Sequence, residues 1–363
     1  MTTFVQLHYL TTYPPSNPNR DDQGRPKTAM YGGVSRLRLS SQSIKRAARL
    51  SPVFQDALSG NLGERTQRIG EVVKEHLLKK GAGEVDAHAI AEKIADVFGK
   101  LDAAKNKDGK GPFTAQLAFI SPDERVKAME MAESALGGEA LPEVKDLKKL
   151  ILRTADGAAD VAMFGRMLAD DPGFNREAAV QVGHAITTHR AESEDDYYTA
   201  VDDLKRSSED AGAGFVGEAG FGSGIYYLYA CIDVDLLVAN LAGDRELASK
   251  AASALAHALA TATPSGKQNS FSHHPRACFI RAEIGKQQPR DLSGAFFNAV
   301  RGNDLRAESV SALEQTASKI ESAYGPSADA VRIMDVEKQE GSLDEVKTFI
   351  EQAIRDVEIT EDV

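Results

Sequence analysis

The stretch VSRLRLSSQSIKRAARL, Val34 to Leu50, carries five Arg or Lys side chains, four hydroxyls and no acid. That set is suited to holding an anion. Arg36-Leu37-Arg38-Leu39 alternates as a strand does, with both arginines on one face. A helix begins at Ser40 or Ser41, each a competent N-cap. The positive end of that helix, with its free backbone N–H groups, faces whatever anion approaches. Ser40, Ser41 and Gln42 can donate to phosphate oxygens there, and Arg38, Lys45, Arg46 and Arg49 can neutralise neighbouring phosphates. Arg20 and Lys27 add charge just upstream. None of these groups reads a base edge at a fixed distance, so the chemistry suits a sugar–phosphate chain without sequence choice. The plainer alternative is a solvated basic helix face. The absence of any acid from Gly24 to Leu50 favours the anion reading.

Other combinations are weaker. Asp21-Asp22, Asp195-Asp196 and Asp202-Asp203 are carboxylate pairs of the kind that hold Mg²⁺ in phosphoryl chemistry, but adjacent acids on loops are usually solvated. His8, His184, His189, His273 and His274 are scattered, and His184 and His189 lack H-E-x-x-H spacing, with no acid between them. No G-x-S-x-G elbow occurs. GAGFVG, Gly212 to Gly217, matches a dinucleotide fingerprint in letters only: no strand precedes it and no helix follows, so it reads as a flexible loop. No catalytic set, metal site or cofactor follows from these residues. The enzyme alternative is a metal-dependent nuclease built on Asp21-Asp22 or His273-His274. Tyr197 and Tyr198, with Thr199, lie in an acidic insertion, where they either stack on bases or pin the loop to the body. Met167, after Gly165-Arg166, is either a core filler or an apolar wedge.

The totals set limits. The chain has 363 residues and a formal charge of −11. Its first 50 residues carry eight cations and two acids, a net of +6, leaving −17 for the rest. Global charge therefore disfavours non-specific nucleic-acid coating, while a local basic surface still works within a Debye length of roughly 8 Å. Cys231 and Cys278 are the only cysteines, which excludes a disulfide framework or a Cys-rich zinc site and suits the cytoplasm. Neither a signal peptide nor a membrane span is expected.

These residues need elements to position them. Phe4–Thr12 reads as a strand with Val5, Leu7 and Tyr9 on one face, followed by a Pro/Asn/Asp/Gly loop. A mostly helical block follows, including SPDERVKAMEMAESALGG with a Ser121/Glu124 capping box. Strands return at AAVQVGHAITTH and GIYYLYACIDVD, separated by a long acidic, then Gly-rich insertion. A helix, RACFIRAEI, two helices, AVRIMD and a last helix complete the chain. The expected class is α+β, a sheet with helices packed on one face and two long insertions. No RNP1-like aromatic string is present, so base stacking on the sheet is not expected.

NRDDQGRPKTAMYGGVSRLRLSSQSIKRAAR, HAITTH, YYTAVDDL, FGSGIYYLYACI and PSGKQNSF resemble, in order, the CasC family. That family is the repeated backbone subunit of Cascade, the type I-E CRISPR surveillance complex. The resemblance runs from residue 1 to about 280 and is slight over 57–160. It implies a modified RNA-recognition (ferredoxin-like) palm, residues 1–56 and 183–363, with a helical finger over 57–182 and a thumb loop at about 190–223. It implies a non-catalytic protomer, several copies of which stack along one crRNA. The palms grip its backbone, and each thumb wedges between a neighbour's bases, leaving the rest free to pair with target DNA. Implied partners are crRNA, target DNA, neighbouring copies and the large, small, 5′-end and 3′-hairpin endoribonuclease subunits, with no membrane. Carried over, RNA contact falls on Arg20, Lys27, Arg38, Ser40, Gln42, Lys45, Arg46 and Arg49. Arg166, Met167, Tyr197, Tyr198 and Thr199 fall at the finger and thumb contacts, and Lys267 and Gln268 in a matching Gly-Lys-Gln loop. The family places larger aromatics, Trp among them, at the thumb pair, whereas this chain has no Trp. Another type I subtype would share most of this physics.

Overall fold

The computed structural model describes residues 2–108, 111–168, 171–200 and 215–356. In chain order, β1 (Phe4–Ser16), β2 (Thr28–Tyr31) and β3 (Val34–Leu39) lead into α1 (Ser41–Leu50) and α2 (Pro52–Ala57). Then come β4 (Glu64–Thr66), α3 (Ile69–Lys79), α4 (Glu84–Phe98), β5 (Ala118–Ile120), α5 (Pro122–Leu136), α6 (Val144–Ile151) and α7 (Ala159–Phe164). The strands β6 (Val180–Val182), β7 (Ala185–Thr187), β8 (Glu194–Ala200) and β9 (Phe215–Asp233) follow, then α8 (Val234–Asn240), α9 (Arg245–Thr261) and α10 (Gln268–Phe271). β10 (Ala277–Gly285), α11 (Leu305–Tyr324), β11 (Ala330–Asp335) and α12 (Leu343–Arg355) close the chain.

Two compact units share it. Met1–Phe54, Val182–Cys231 and Ala252–Ala353 form one; Gln55–Gln181 and Ile232–Ala251, with the chain from Ile354, form the other. The second unit thus takes in Ile232–Ala251, which lies within the 183–363 expected of the palm.

In the first unit the strands run β11-β10-β1-β9-β7-β3-β2, with β8 paired to β9. Within that order lie β10-β1-β9-β7, with α1 between β1 and β7 in sequence and α9 between β9 and β10. This is a β-α-β-β-α-β unit of strand order 4-1-3-2, the ferredoxin-like arrangement. β3 and β2 extend one edge and β11 the other.

The structure corrects the expectation of helices on one face. Val5 through Leu10 are all buried, so alternate side chains of β1 enter two different cores. The Tyr9 hydroxyl donates to the Ala256 carbonyl of α9 at 3.2 Å. Leu10 instead packs with Tyr227, Phe279, Phe296 and Leu313 of the α11 side. Both faces of the sheet are covered along β1, so its side chains are not open to present aromatics to bases. The α11 side also buries a charge cluster. Glu283 is fully buried, Arg281 donates to it at 2.5 Å, and Arg290 grips it as well. Burial alone would raise the Glu283 carboxyl, but His8, whose Nε2 lies 3.8 Å away, and hydrogen bonds from the two guanidiniums hold it far below the usual range.

The second unit is built on α3, α4, α5 and α6, whose Val73, Leu77, Ile94, Ala128, Leu147 and Ile151 form its core. Ser121 and Glu124 make the expected capping box at the start of α5. Among the described residues no helix is long and apolar enough to cross a membrane.

Candidate nucleic-acid interface

The basic segment folds as its residue types dictate. β3 delivers the chain to Ser40, whose hydroxyl accepts the Ser43 amide and caps α1. The first turn of α1 has no acid and its last turn carries Arg49. Ser40 is buried, its own amide bonded to Asn19 Oδ1 at 2.8 Å, so its side chain works as a cap rather than as the open phosphate donor expected of it. Ser41 and Gln42 remain at the surface.

The structure adds a residue that the basic stretch does not contain. His184 Nδ1 accepts the Ser41 amide at 3.0 Å and lies 3.4 Å from Arg38 Nη1. Burial, then the charges of Arg38, Lys27 and Lys45, pushes the imidazole below its ordinary value. A ring nitrogen that accepts a backbone N–H is unprotonated, so the Ser41 bond goes with a neutral His184 whose other nitrogen carries the hydrogen. Lys27, Arg38 and Lys45 are thus near enough for their charges to act on His184, which meets the first turn of α1 through Ser41. Arg20, Lys27, Gln42, Lys45 and Arg46 are exposed or half-exposed, and Arg49 is half-buried. Three cations, a neutral imidazole and a helix N-terminus form a cradle of the kind that can take phosphate oxygens without reading a base.

Arg36 leaves this surface. It is fully buried, and its guanidinium donates to the carbonyls of Tyr31, Thr187 and Phe296. Strand alternation put it beside Arg38, but it serves to tie the β2–β3 turn to its neighbours.

Arg46 and Gln268 line one groove of about 670 Å³, together with Ser43, Leu50, Pro18 and Pro264. Gln268 Nε2 donates to the His273 carbonyl at 3.3 Å and lies 3.1 Å from His274 Nδ1. Lys267 beside it is exposed, with a left-handed backbone (φ 52°).

The long insertion is a hairpin where it is described. β8 pairs antiparallel with β9 from Glu194↔Phe221 to Ala200↔Phe215, and every residue of β8 is exposed. Tyr197 is 73% exposed. Tyr198 sits directly across from Gly217, its ring filling the space that a Cβ would need, at 2.4 Å from Cζ. Gly217 therefore belongs to a strand and is not the flexible loop that GAGFVG suggests. Gly212 to Gly214 of that string, and residues 201–214 as a whole, lie outside the described residues.

In the second unit Arg166 and Met167 part company. Arg166 is 5% exposed; its guanidinium meets both oxygens of Glu124, at 2.8 and 2.6 Å, and the Arg153 carbonyl at 2.7 Å. It is a core cation, and its assignment to RNA contact is corrected accordingly. Met167 is 77% exposed. Two residues of the enzyme alternative make structural bonds. Asp21 Oδ1 accepts the amides of Gln23 and Arg25, each at 2.9 Å, as a turn former does. His273 is fully buried against the Pro264 carbonyl. Among the described residues no group of three or more His, Cys, Asp or Glu is placed to hold a metal ion.

Known structures resemble this one closely. A chain of a pre-nicking CRISPR RNA-guided surveillance complex matches with a TM-score of 0.84 at 28% identity, covering 96% of this chain and 100% of that one. A chain of a second CRISPR RNA-guided surveillance complex matches at 0.72 and 25% identity, with the same coverage. No curated protein matches in sequence. The model of the CT1975-like protein family matches residues 5–358, and the chain belongs to that family.

Proposed function

We propose that this protein is a non-catalytic backbone subunit of a CRISPR RNA-guided surveillance complex of the Cascade kind. Several copies polymerise along one crRNA in the cytoplasm, alongside the large, small, 5′-end and 3′-hairpin endoribonuclease subunits. The observation that carries the reading is the cradle at the start of α1. It offers Lys27, Arg38, Lys45 and the Ser41–His184 pair to phosphate groups and nothing to base edges. A guide-holding subunit must accept any spacer, so it should grip the backbone and leave bases free to pair with target DNA.

In this reading the β8–β9 hairpin is the thumb and Tyr197 the residue that meets a neighbour's RNA. The helical unit is the finger, with Met167 at its RNA contact. Arg20, Arg46, Arg49, Lys267 and Gln268 extend the track from the cradle. The turn role of Asp21 and the burial of His273 support the scaffold over the nuclease.

The test is RNA integrity. Guide RNA incubated with the purified protein and Mg²⁺ should remain intact and be protected at regular intervals. Cleavage abolished by Asp21→Ala would establish the nuclease instead.

A further inference from the structure

One segment, residues 17–27 between β1 and β2, touches both the cradle and the hairpin. On the cradle side, Asn19 Oδ1 accepts the Ser40 amide at 2.8 Å, and the Lys27 carbonyl accepts the Arg38 amide at 2.8 Å. On the hairpin side, Asn17 Nδ2 donates to the Gly220 carbonyl of β9 at 2.8 Å and to the Gly24 carbonyl at 2.9 Å. Pro26 Cδ comes to 3.0 Å of the place a Cβ on Gly220 would take, so a side chain there would force the two apart. Arg25 reaches over to Glu218 of β9 at 3.2 Å and Asp195 of β8 at 3.5 Å.

The segment itself is braced. The Lys27 amide donates to the Asn19 carbonyl, Asp21 and Arg25 exchange backbone and side-chain hydrogen bonds, and Arg20 pairs with Pro26. Asn17 is 1% exposed, and its Oδ1 has no hydrogen-bond partner among the described residues. A buried amide that leaves its oxygen unsatisfied is costly, so the residue is there for its two donors.

We propose that residues 17–27 act as a strut that fixes the β8–β9 hairpin relative to the phosphate cradle, with Asn17 and Arg25 as its positioning residues. Arg25 thereby belongs to the hairpin and not to the RNA track. A subunit that grips phosphate at α1 then carries its Tyr197 at a set distance along the RNA, and the repeat of the assembly is built into one loop. The assembly part of this inference rests on the proposed function; the strut itself does not.

The experiment is hydrogen exchange on the RNA-free full chain. Asn17→Asp keeps the size and removes both donors; exchange in 194–200 and 217–222 should accelerate about tenfold or more, as expected for two lost buried hydrogen bonds, with 277–285 unchanged. Arg25→Glu breaks only an exposed pair and should accelerate it about two- to fivefold. The Arg25→Glu/Glu218→Arg swap should restore the wild-type rate. In assembled particles, Arg25→Glu should blur the regular RNA protection while the affinity of one subunit for a short oligonucleotide stays unchanged. Wild-type hairpin exchange in both single variants, or failure of the swap to rescue Arg25→Glu, overturns the strut whether or not the protein binds RNA. Altered exchange in a protein that binds no RNA sustains the strut and removes the functional reading.

Discussion

The amide of Ser41 is hydrogen-bonded to His184 Nδ1, 143 residues away in sequence, at 3.0 Å. The bond joins the N-terminus of α1 to the residue just before β7 and favours the neutral imidazole among Arg38, Lys27 and Lys45.

Guide binding should therefore take up protons. In the free protein burial and then the surrounding cations keep His184 neutral; a bound phosphate chain offsets the cations and favours the imidazolium, whose Nδ1–H gives up the Ser41 bond and turns to the phosphate. RNA affinity should rise as pH falls from 7.5 to 5.5, by up to about tenfold if binding raises the imidazole by one unit. His184→Gln, which can still accept from Ser41, should flatten the dependence. Anisotropy titrations at constant salt measure it; equal pH dependence in the variant would remove His184 from the interface.

Lys45→Ala and Arg49→Ala should weaken binding alike for every spacer sequence. Each lost phosphate contact on single-stranded RNA should reduce the log–log salt slope by about 0.7. Affinity measured over a salt series with unrelated spacers checks this, and losses confined to particular spacers would point to base readout.

Arg166 and Met167 should separate by phenotype. Arg166→Ala leaves Glu124 buried without its partner, which typically costs about 3–5 kcal/mol, and should lower the melting temperature sharply. Met167→Ala removes an exposed side chain and should leave thermal stability within about 0.5 kcal/mol. Thermal denaturation distinguishes them.

Acid should destabilise the sheet unit in two steps. Burial lowers His8, so below about pH 6.5 the unfolded chain binds a proton that the folded one refuses. The Glu283 carboxyl is depressed, so its contribution is complete above about pH 4.3 and is lost as pH falls below that. Glu283→Gln should remove the second step while costing about 3–5 kcal/mol at neutral pH, because Arg281 and Arg290 lose their buried counter-charge. Denaturant melts across pH 3–8 measure both.

Much of the scaffold was legible because its signals are local. The alternation in Phe4–Thr12 and Arg36–Leu39, the Ser40 cap and the Ser121/Glu124 box each need only neighbouring residues, and all appear where expected. What was missed depends on chain closure. His184 joins Ser41 only when β7 lies next to β3; the HAITTH string marked the region without giving its partner. Arg36 and Arg38 share a strand face, yet only the first is roofed over by Phe296 and Thr187. Glu124 was readable as a cap, but not as the counter-ion of Arg166. The second covered face of the sheet was invisible because Gln6 and His8 look like solvent-facing residues until Tyr229 and Tyr227 hydrogen-bond to them.

The most direct test is to express the full chain with a CRISPR array and its companion subunits and weigh the RNA that copurifies. The wild-type protein should carry stoichiometric small RNA of one length, and Lys27→Glu/Lys45→Glu, folded by circular dichroism, should carry almost none. Undiminished guide RNA on that variant would contradict phosphate capture at α1.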